Sequence, residues 1–330
     1  MADKKTAIVL GAGGFIGGHL VKKLKELNYW VRGVDIKNND YGTNADEFLL
    51  LDLRIYNNVI NALHIDNNIY NIEVYQLAAD MGGAEYIFSG INDANIMHNS
   101  AIINLHVLDV CRLHNIKKIF YSSSACIYPC HNQTDKDNPI CSEESAYPAN
   151  PDSEYGWEKL FSERLYLAYA KNYGMDVHIA RFHNIFGPYG VWFGGKEKAP
   201  SAICRKIALC KNGDTIDIFG DGEQTRSFLY IDECIEGIVC LMNSNFSGPV
   251  NIGSDEMVSI NQLVNYVKQI DQKEINVNHI VGPLGVRGRN SDNKLIYKSI
   301  GWRPKSLLVD GLYHTYMWIK NEINNQKLSI

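Results

Sequence analysis

The stretch Lys117-Lys118-Ile119-Phe120-Tyr121-Ser122-Ser123-Ser124-Ala125-Cys126-Ile127-Tyr128-Pro129 decides the fold. Its apolar run, Ile119 to Tyr121, gives way to three serines, an alanine and a cysteine. Such a run reads as a strand buried on both faces, and strands of that kind belong to parallel sheets. Small polar side chains at its carboxyl end fall where open α/β sheets hold their ligands. Further on, Tyr155-Gly156-Trp157-Glu158-Lys159 puts a tyrosine and a lysine four apart, on one face of a helix. A serine at a strand end opposite such a helix can run proton-coupled hydride chemistry on an alcohol.

Working back to the amino terminus, Thr6 to Leu10 is a short apolar strand that runs into Gly11-Ala12-Gly13-Gly14-Phe15-Ile16-Gly17. A helical pattern through Leu20, Leu24 and Leu27 follows. Glycines at 11, 14 and 17 let the backbone approach a pyrophosphate at the start of that helix, where Phe15 and Ile16 offer free N–H groups. Alone, such a loop is equally a plain turn. Here a second strand, Trp30 to Val34, ends in Asp35, roughly 18 residues past Gly17, near the distance of a ribose-binding acid. Asp35 would repel a 2′-phosphate, so the pattern predicts NAD rather than NADP, against a solvated loop acid.

Phe48 to Leu53 reads as a third strand, with Asp52 placed either to accept from an adenine amino group or to cap a helix. Glu73 to Ala79 reads as a fourth, ending in Ala79-Asp80-Met81-Gly82-Gly83. Small residues such as Ala79 and Gly82 leave room for a nicotinamide or a sugar, or make a tight turn. His98, His106 and His114 stand eight apart on a predicted helix; that step turns about 800°, so they drift off one face and no metal site is expected.

The chain has 330 residues, 45% of them hydrophobic, and a net charge of −5. That suffices for one large α/β domain or somewhat more. The acidic balance and the lack of a basic run argue against nucleic acid or anionic membrane as a partner. Eight irregularly spaced cysteines in so long a chain read as reduced cytoplasmic thiols rather than a disulfide framework. The start, Met1 to Leu10, has an apolar run too short for a signal peptide, and no run approaches membrane-spanning length.

Strand, glycine loop and Tyr/Lys helix together resemble the extended short-chain dehydrogenase/reductase family, and the likeness covers essentially the whole chain. The resemblance implies a Rossmann-type doubly wound parallel α/β sheet with a smaller mixed α/β C-terminal substrate-binding region. It divides the chain into an NAD-binding domain, residues 1–180, and a nucleotide-sugar region, residues 181–330, with interleaved segments. Ser124 and Tyr155 would contact the substrate hydroxyl. Lys159 would hold the nicotinamide ribose and lower the tyrosine from its ordinary pKa near ~10. Members of the family commonly form homodimers through two helices, here about Asn95 to His114 and Glu154 to Tyr173.

The residues after Ser124 discriminate further. Sugar 4,6-dehydratases of this family carry Asp-Glu there, whereas this chain has Ala125-Cys126. A cysteine suits proton abstraction when positive surroundings lower its pKa from ~8.5; the alternative is a buried structural thiol. Ser122 to Pro129, Arg181 to Gly190, Val191 to Pro200, Asp221 to Phe228 and Val286 to Asp292 resemble the GDP-mannose 3,5-epimerase branch of the family. That resemblance makes Cys126 and Lys198 an acid/base pair acting on a GDP-sugar. It leaves Lys196 as a solvated loop residue. It assigns Lys206, Arg226 and Arg289 to the diphosphate, Asn184 to the phosphate or sugar side, and Gln224 and Gly82 to the substrate. Each cation singly is otherwise a solvated surface charge, and His183 is a pocket residue or a core histidine. Cys130-His131 lacks a second ligand pair at zinc spacing, so no metal is expected. Plant members carry a longer C-terminal tail, so contacts made there would be absent or replaced in a chain ending at Ile330. The rival readings are a 4-epimerase or other keto-sugar isomerase, in which Cys126 and Lys198 have no acid/base role, and a nucleotide-binding protein without catalysis.

In the second half, Thr215 to Phe219 and Pro249 to Ile252 read as strands. Helices are predicted after Pro200, over Asp232 to Met242, from a cap at Ser259, and over Leu307 to Ile323.

Overall fold

The computed structural model describes residues 4–65, 71–282 and 285–328, so the reading of residues 1–3 lies outside it. The chain opens with β1 (Thr6–Leu10), α1 (Phe15–Glu26), β2 (Trp30–Asp35), β3 (Glu47–Leu50), α2 (Tyr56–Leu63) and β4 (Ile72–Gln76). It continues through α3 (Ala84–Phe88), α4 (Asp93–Leu113), β5 (Lys118–Ser124), α5 (Glu154–Tyr173), β6 (Asp176–Phe182), β7 (Ile185–Phe186) and α6 (Ala199–Leu209). Then come β8 (Thr215–Phe219), β9 (Thr225–Ser227), β10 (Leu229–Tyr230), α7 (Ile231–Met242), β11 (Val250–Ile252), β12 (Met257–Ser259) and α8 (Ile260–Asp271). The last elements are β13 (Asn276–Ile280), β14 (Gly288–Arg289), α9 (Lys294–Ile300) and α10 (Leu308–Leu328).

Seven parallel strands form the main sheet in the order β11-β6-β5-β4-β1-β2-β3. The order reverses between β1 and β4, which opens a crevice at the carboxyl ends of both strands. Alternate residues of β1 supply the two faces. Ala7 and Val9 meet Leu20, Val21 and Leu24 of α1 and Ile235 and Ile238 of α7. Ile8 and Leu10 sit on the other side with Val59 of α2, Val107 of α4 and Tyr166 of α5. A separate core joins α6, β8, α8 and α10 through Ile203, Ile218, Leu263, Val267, Leu312 and Tyr316. Ser259 caps α8 in a reciprocal box with Gln262, as its position before the helix predicts.

Two strands are shorter than their apolar runs. β3 stops at Leu50 and β4 at Gln76. Leu53 is buried against the second face although it lies beyond the strand, and Leu77 packs on the first. Continued burial after pairing ends is what makes both runs look longer. The division near residue 180 is crossed twice, because α7 covers the first face and β11 pairs with β6.

Candidate active site

At the end of β1, Gly11 stands at φ 90°, a conformation that glycine adopts without strain, and a Cβ there would come 2.8 Å from Ala78 N. On Gly17 a Cβ would reach 2.0 Å from Gly11 O. No side chain caps the start of α1. Its first N–H groups, those of Phe15 and Ile16 included, therefore face the crevice as an anion site. Asp35 at the end of β2 accepts from Gly13 N at 2.9 Å and from Lys37 N at 3.1 Å, which fixes its carboxylate beside the loop. Burial raises its pKa and these amides oppose the shift. Ala79 lies in the loop after β4. This cradle of bare backbone with an acid at its rim fits a dinucleotide with a free ribose diol. Asp52 is bound to Arg54 instead, by backbone and side chain, in a turn ahead of α2 whose capping position is Ile55.

Helix α5 is capped by Ser153, whose Oγ accepts from Gly156 N at 3.2 Å. Lys159, one turn past Tyr155, is buried and donates to Ser122 O at 2.9 Å. Its Nζ lies 5.7 Å from the centre of the Tyr155 ring and 5.0 Å from that of Tyr121. Burial lowers its pKa, while Glu158, Glu163 and Cys126 pull the other way. Burial pushes the Tyr155 hydroxyl far above its usual range, Cys126 adds to that, and a hydrogen bond with Ser124 opposes it. The hydrogen bond with Ser124 is thus one counterweight on Tyr155, while the Lys159 Nζ is directed at the Ser122 carbonyl.

Cys126 sits in a short 3₁₀ turn after β5, and its N–H donates to Ser124 Oγ at 3.2 Å. Burial raises the thiol and Asp152 adds to it; Arg289 and the Ser124 hydrogen bond pull it down. Lys198 is the residue before α6. Burial lowers its pKa, and the charge of Cys126 opposes the shift. Thiol with amine and thiolate with ammonium hold the same number of protons. In either arrangement one group is a base and the other an acid.

The loop carrying Lys198 is held against the crevice. A Cβ on Gly83 would come 2.7 Å from Glu197 O, and the Lys196 ammonium lies 3.9 Å from the centre of the Tyr86 ring. Lys196 is an exposed loop lysine, as read from the sequence, and its ammonium also caps an aromatic face. Tyr86 in turn donates to Asp80 Oδ1 at 2.8 Å. Gly82 packs on Tyr86 as well.

On the substrate side, a cavity of about 420 Å³ is lined by Phe88, Cys130, Thr134, Asp152, Gly285 and Arg287, among others. Arg226 lies along this wall, donating to Val286 O at 2.7 Å, and burial lowers its pKa to about 10. Asn184, at φ 44°, donates to Ser227 O at 2.8 Å. Gln224 donates to Phe219 O, and its buried Oε1 has no hydrogen-bond partner among the described residues. Lys206 donates to Asp217 O at 2.5 Å on β8. Arg289 is already engaged by three side chains, Asp152, Gln133 and Cys126. His183 is a core histidine: it is buried, bonded to Asn251, and lowered by burial to about 3. Sequence reasoning missed Asp152, Gln133 and Tyr86. The position of Ser153 just ahead of a predicted helix is a cap signal that could have drawn attention to that corner.

Residues 7–253 match the model of the NAD dependent epimerase/dehydratase family, and the chain belongs to that family. The chain is an NAD-dependent nucleotide-sugar epimerase. Within the family, the chain is 45% identical over 322 residues to GDP-mannose 3,5-epimerase of Arabidopsis thaliana, covering 97% of this chain and 83% of that protein. It is likewise 45% identical over 329 residues to GDP-mannose 3,5-epimerase 1 of Oryza sativa subsp. japonica, covering 99% and 84%. Among solved structures it resembles UDP-glucuronic acid 4-epimerase of Bacillus cereus in complex with UDP-glucuronic acid and NAD. There the TM-score is 0.80 at 27% identity, over 96% of this chain and 99% of that one.

Proposed function

We propose that the protein is a GDP-mannose 3,5-epimerase, converting GDP-mannose to GDP-L-galactose with GDP-L-gulose as the C5-epimer side product. One observation carries this reading. A thiol, Cys126, and an amine, Lys198, are electrostatically coupled, and the thiol packs beside Tyr155. Bound NAD supplies a hydride acceptor and donor at sugar C4. Tyr155 takes the proton of the 4-hydroxyl, steadied by Ser124, and later returns it. With C4 as a ketone the C–H bonds at C3 and C5 are acidic. One member of the Cys126/Lys198 pair removes a proton and the other delivers one to the opposite face. Arg226 and Lys206 supply cations for the diphosphate, with Asn184 and Gln224 toward the rest of the substrate.

We further place the protein in the cytoplasm as a homodimer. Its eight cysteines are all free, which suits a reducing compartment. No described helix is long and apolar enough to cross a membrane. α4 and α5 pack side by side and leave Met97, Leu105, Trp157 and Phe161 exposed, an apolar face suited to a second copy.

Proton NMR with GDP-mannose in heavy water tests the function. Solvent deuterium enters at C3 and C5 with the wild type and at neither with Cys126→Ala. Wild-type exchange at neither carbon rejects the reading, and full exchange with Cys126→Ala returns the protein to the 4-epimerase class.

A further inference from the structure

We infer that Arg205 is a positioning residue for Lys198: its guanidinium closes the loop from Trp192 to Glu197 and fixes the backbone from which Lys198 projects. The inference rests on the acid/base role proposed for Lys198. Arg205 Nε donates to Trp192 O at 3.0 Å, and Nη2 donates to Glu197 Oε1 at 2.8 Å. The other carboxylate oxygen of Glu197 accepts from Gly195 N at 2.7 Å. One guanidinium on α6 thus gathers both ends of the loop, and Glu197 ties down its middle.

Packing does little for the loop itself. Gly194 and Gly195 stand at φ 93° and 86°, and a Cβ on either would meet nothing within 4 Å. Glycines in open space have the most backbone freedom to lose, so polar bonds must supply the order. The near flank is rigid, because Trp192 is buried in one core with Ile203, Cys204 and Ile207 of α6. At the far end the carbonyls of Lys196 and Glu197 back onto Gly83, where a Cβ would stand 2.9 and 2.7 Å from them. The segment therefore has a seat, and the ion pair keeps it there.

Lys198 follows at once, and its carbonyl opens α6 by accepting from Ala202 N at 2.9 Å. Arg205 comes about two turns later on the same face of that helix. Burial opposes charge on Glu197, yet the amides of Glu197 and Gly195 and the Arg205 guanidinium hold its carboxyl below the usual range. The two side chains are 25% and 10% exposed. A pair so placed adds little to global stability. A catalytic group displaced by about 1 Å, in contrast, can lose ~10²-fold in rate. Loss of the pair therefore shows in proton transfer to the sugar rather than in the melting point.

The test follows Arg205→Gln, Arg205→Lys and Glu197→Gln in the NAD-bound enzyme with GDP-mannose in heavy water. Proton NMR reads exchange, and absorbance reads reduced nicotinamide. Arg205→Gln lowers deuterium entry at C3 and C5 by about 10-fold or more, while NAD reduction stays within about twofold. Arg205→Lys, which still reaches Glu197, recovers part of the exchange. Adding Glu197→Gln to Arg205→Gln lowers exchange no further, as expected of residues that act as one unit. A merely structural role would slow both steps together and lower the thermal midpoint with them.

Unchanged exchange in Arg205→Gln overturns the inference. Equal losses of exchange and reduction with weaker GDP binding also overturn it, and make Arg205 a substrate ligand. Should Arg205→Gln fail to fold, Glu197→Gln decides by the same split. Full exchange in Lys198→Ala would reject the proposed function itself, whereas loss there with unchanged exchange in Arg205→Gln rejects the role of Arg205 alone.

Discussion

Gly156 lies so close to the backbone of Cys126 that a Cβ on the glycine would stand 2.2 Å from the cysteine's carbonyl oxygen. The first turn of the catalytic helix is thus seated on the turn that presents the thiol. Tyr155 and Cys126 come together because nothing larger than hydrogen separates their neighbours. Gly156→Ala must push α5 away from β5. The expected outcome is a destabilisation of about 1–3 kcal/mol, as for other overpacked sites, seen as a lower thermal midpoint. Turnover falls more than the midpoint alone would explain, because Tyr155 and Lys159 move with the helix.

Lys198→Ala and Cys126→Ser separate the two halves of the chemistry. Both are expected to lose deuterium exchange at C3 and C5 by about 10²–10⁴-fold, the usual contribution of an acid or base. Both should still reduce bound NAD when the sugar is added, which absorbance of the reduced nicotinamide reports. Tyr155→Phe is expected to lose that reduction as well.

The Cys126/Lys198 pair predicts a bell-shaped pH profile for exchange. On the acid side the pair holds a thiol and an ammonium, so it has no base. On the alkaline side it holds a thiolate and an amine, so it has no acid. Burial lowers Lys198 and raises Cys126, so both shifts favour the neutral thiol and amine over the charged pair. A single falling or rising limb across the range, measured by exchange rate, would remove one of the two residues from the reaction.

His183 predicts an acid sensitivity of stability. Burial lowers it to about 3, whereas in the unfolded chain a histidine titrates near ~6.5. Between those values the unfolded chain binds a proton that the folded chain refuses, so acid favours unfolding. Going from pH 6.5 to pH 5 costs about 2 kcal/mol from this residue. Urea midpoints at pH 7 and pH 5 should differ less in His183→Gln than in the wild type.

The exposed face of α4 and α5 predicts that Phe161→Glu, alone or with Leu105→Glu, yields a folded monomer. Sedimentation velocity reads the outcome, and an unchanged sedimentation coefficient rejects this face as the dimer contact.

The fold was legible where local pattern and burial coincide. β1 and β8 match their apolar stretches residue for residue, and Ser259 announces α8. β3 and β4 were read too long because Leu53 stays buried and Leu77 stays packed on the core after the strands end. In the site, one helix turn sets Tyr155 and Lys159 on one face and one strand end presents the serines, among which the family resemblance singled out Ser124. The surroundings of Arg289 were not. Its partners lie 137, 156 and 163 residues away in sequence, and no local period encodes contacts of that range. The contact of Lys196 with Tyr86 was hidden for the same reason, because the two residues come from different halves of the chain.

The late return of β11 to the main sheet bears on how the molecule is made. A chain leaving the ribosome presents β6 as a bare, sticky margin until residues 250–252 emerge to pair with it. The main sheet is therefore finished only after much of the second half of the chain has been synthesised. Neither half can be cut out and grafted elsewhere as a free-standing module. Truncation between β6 and β11 leaves an unpaired edge, which invites association with other nascent chains.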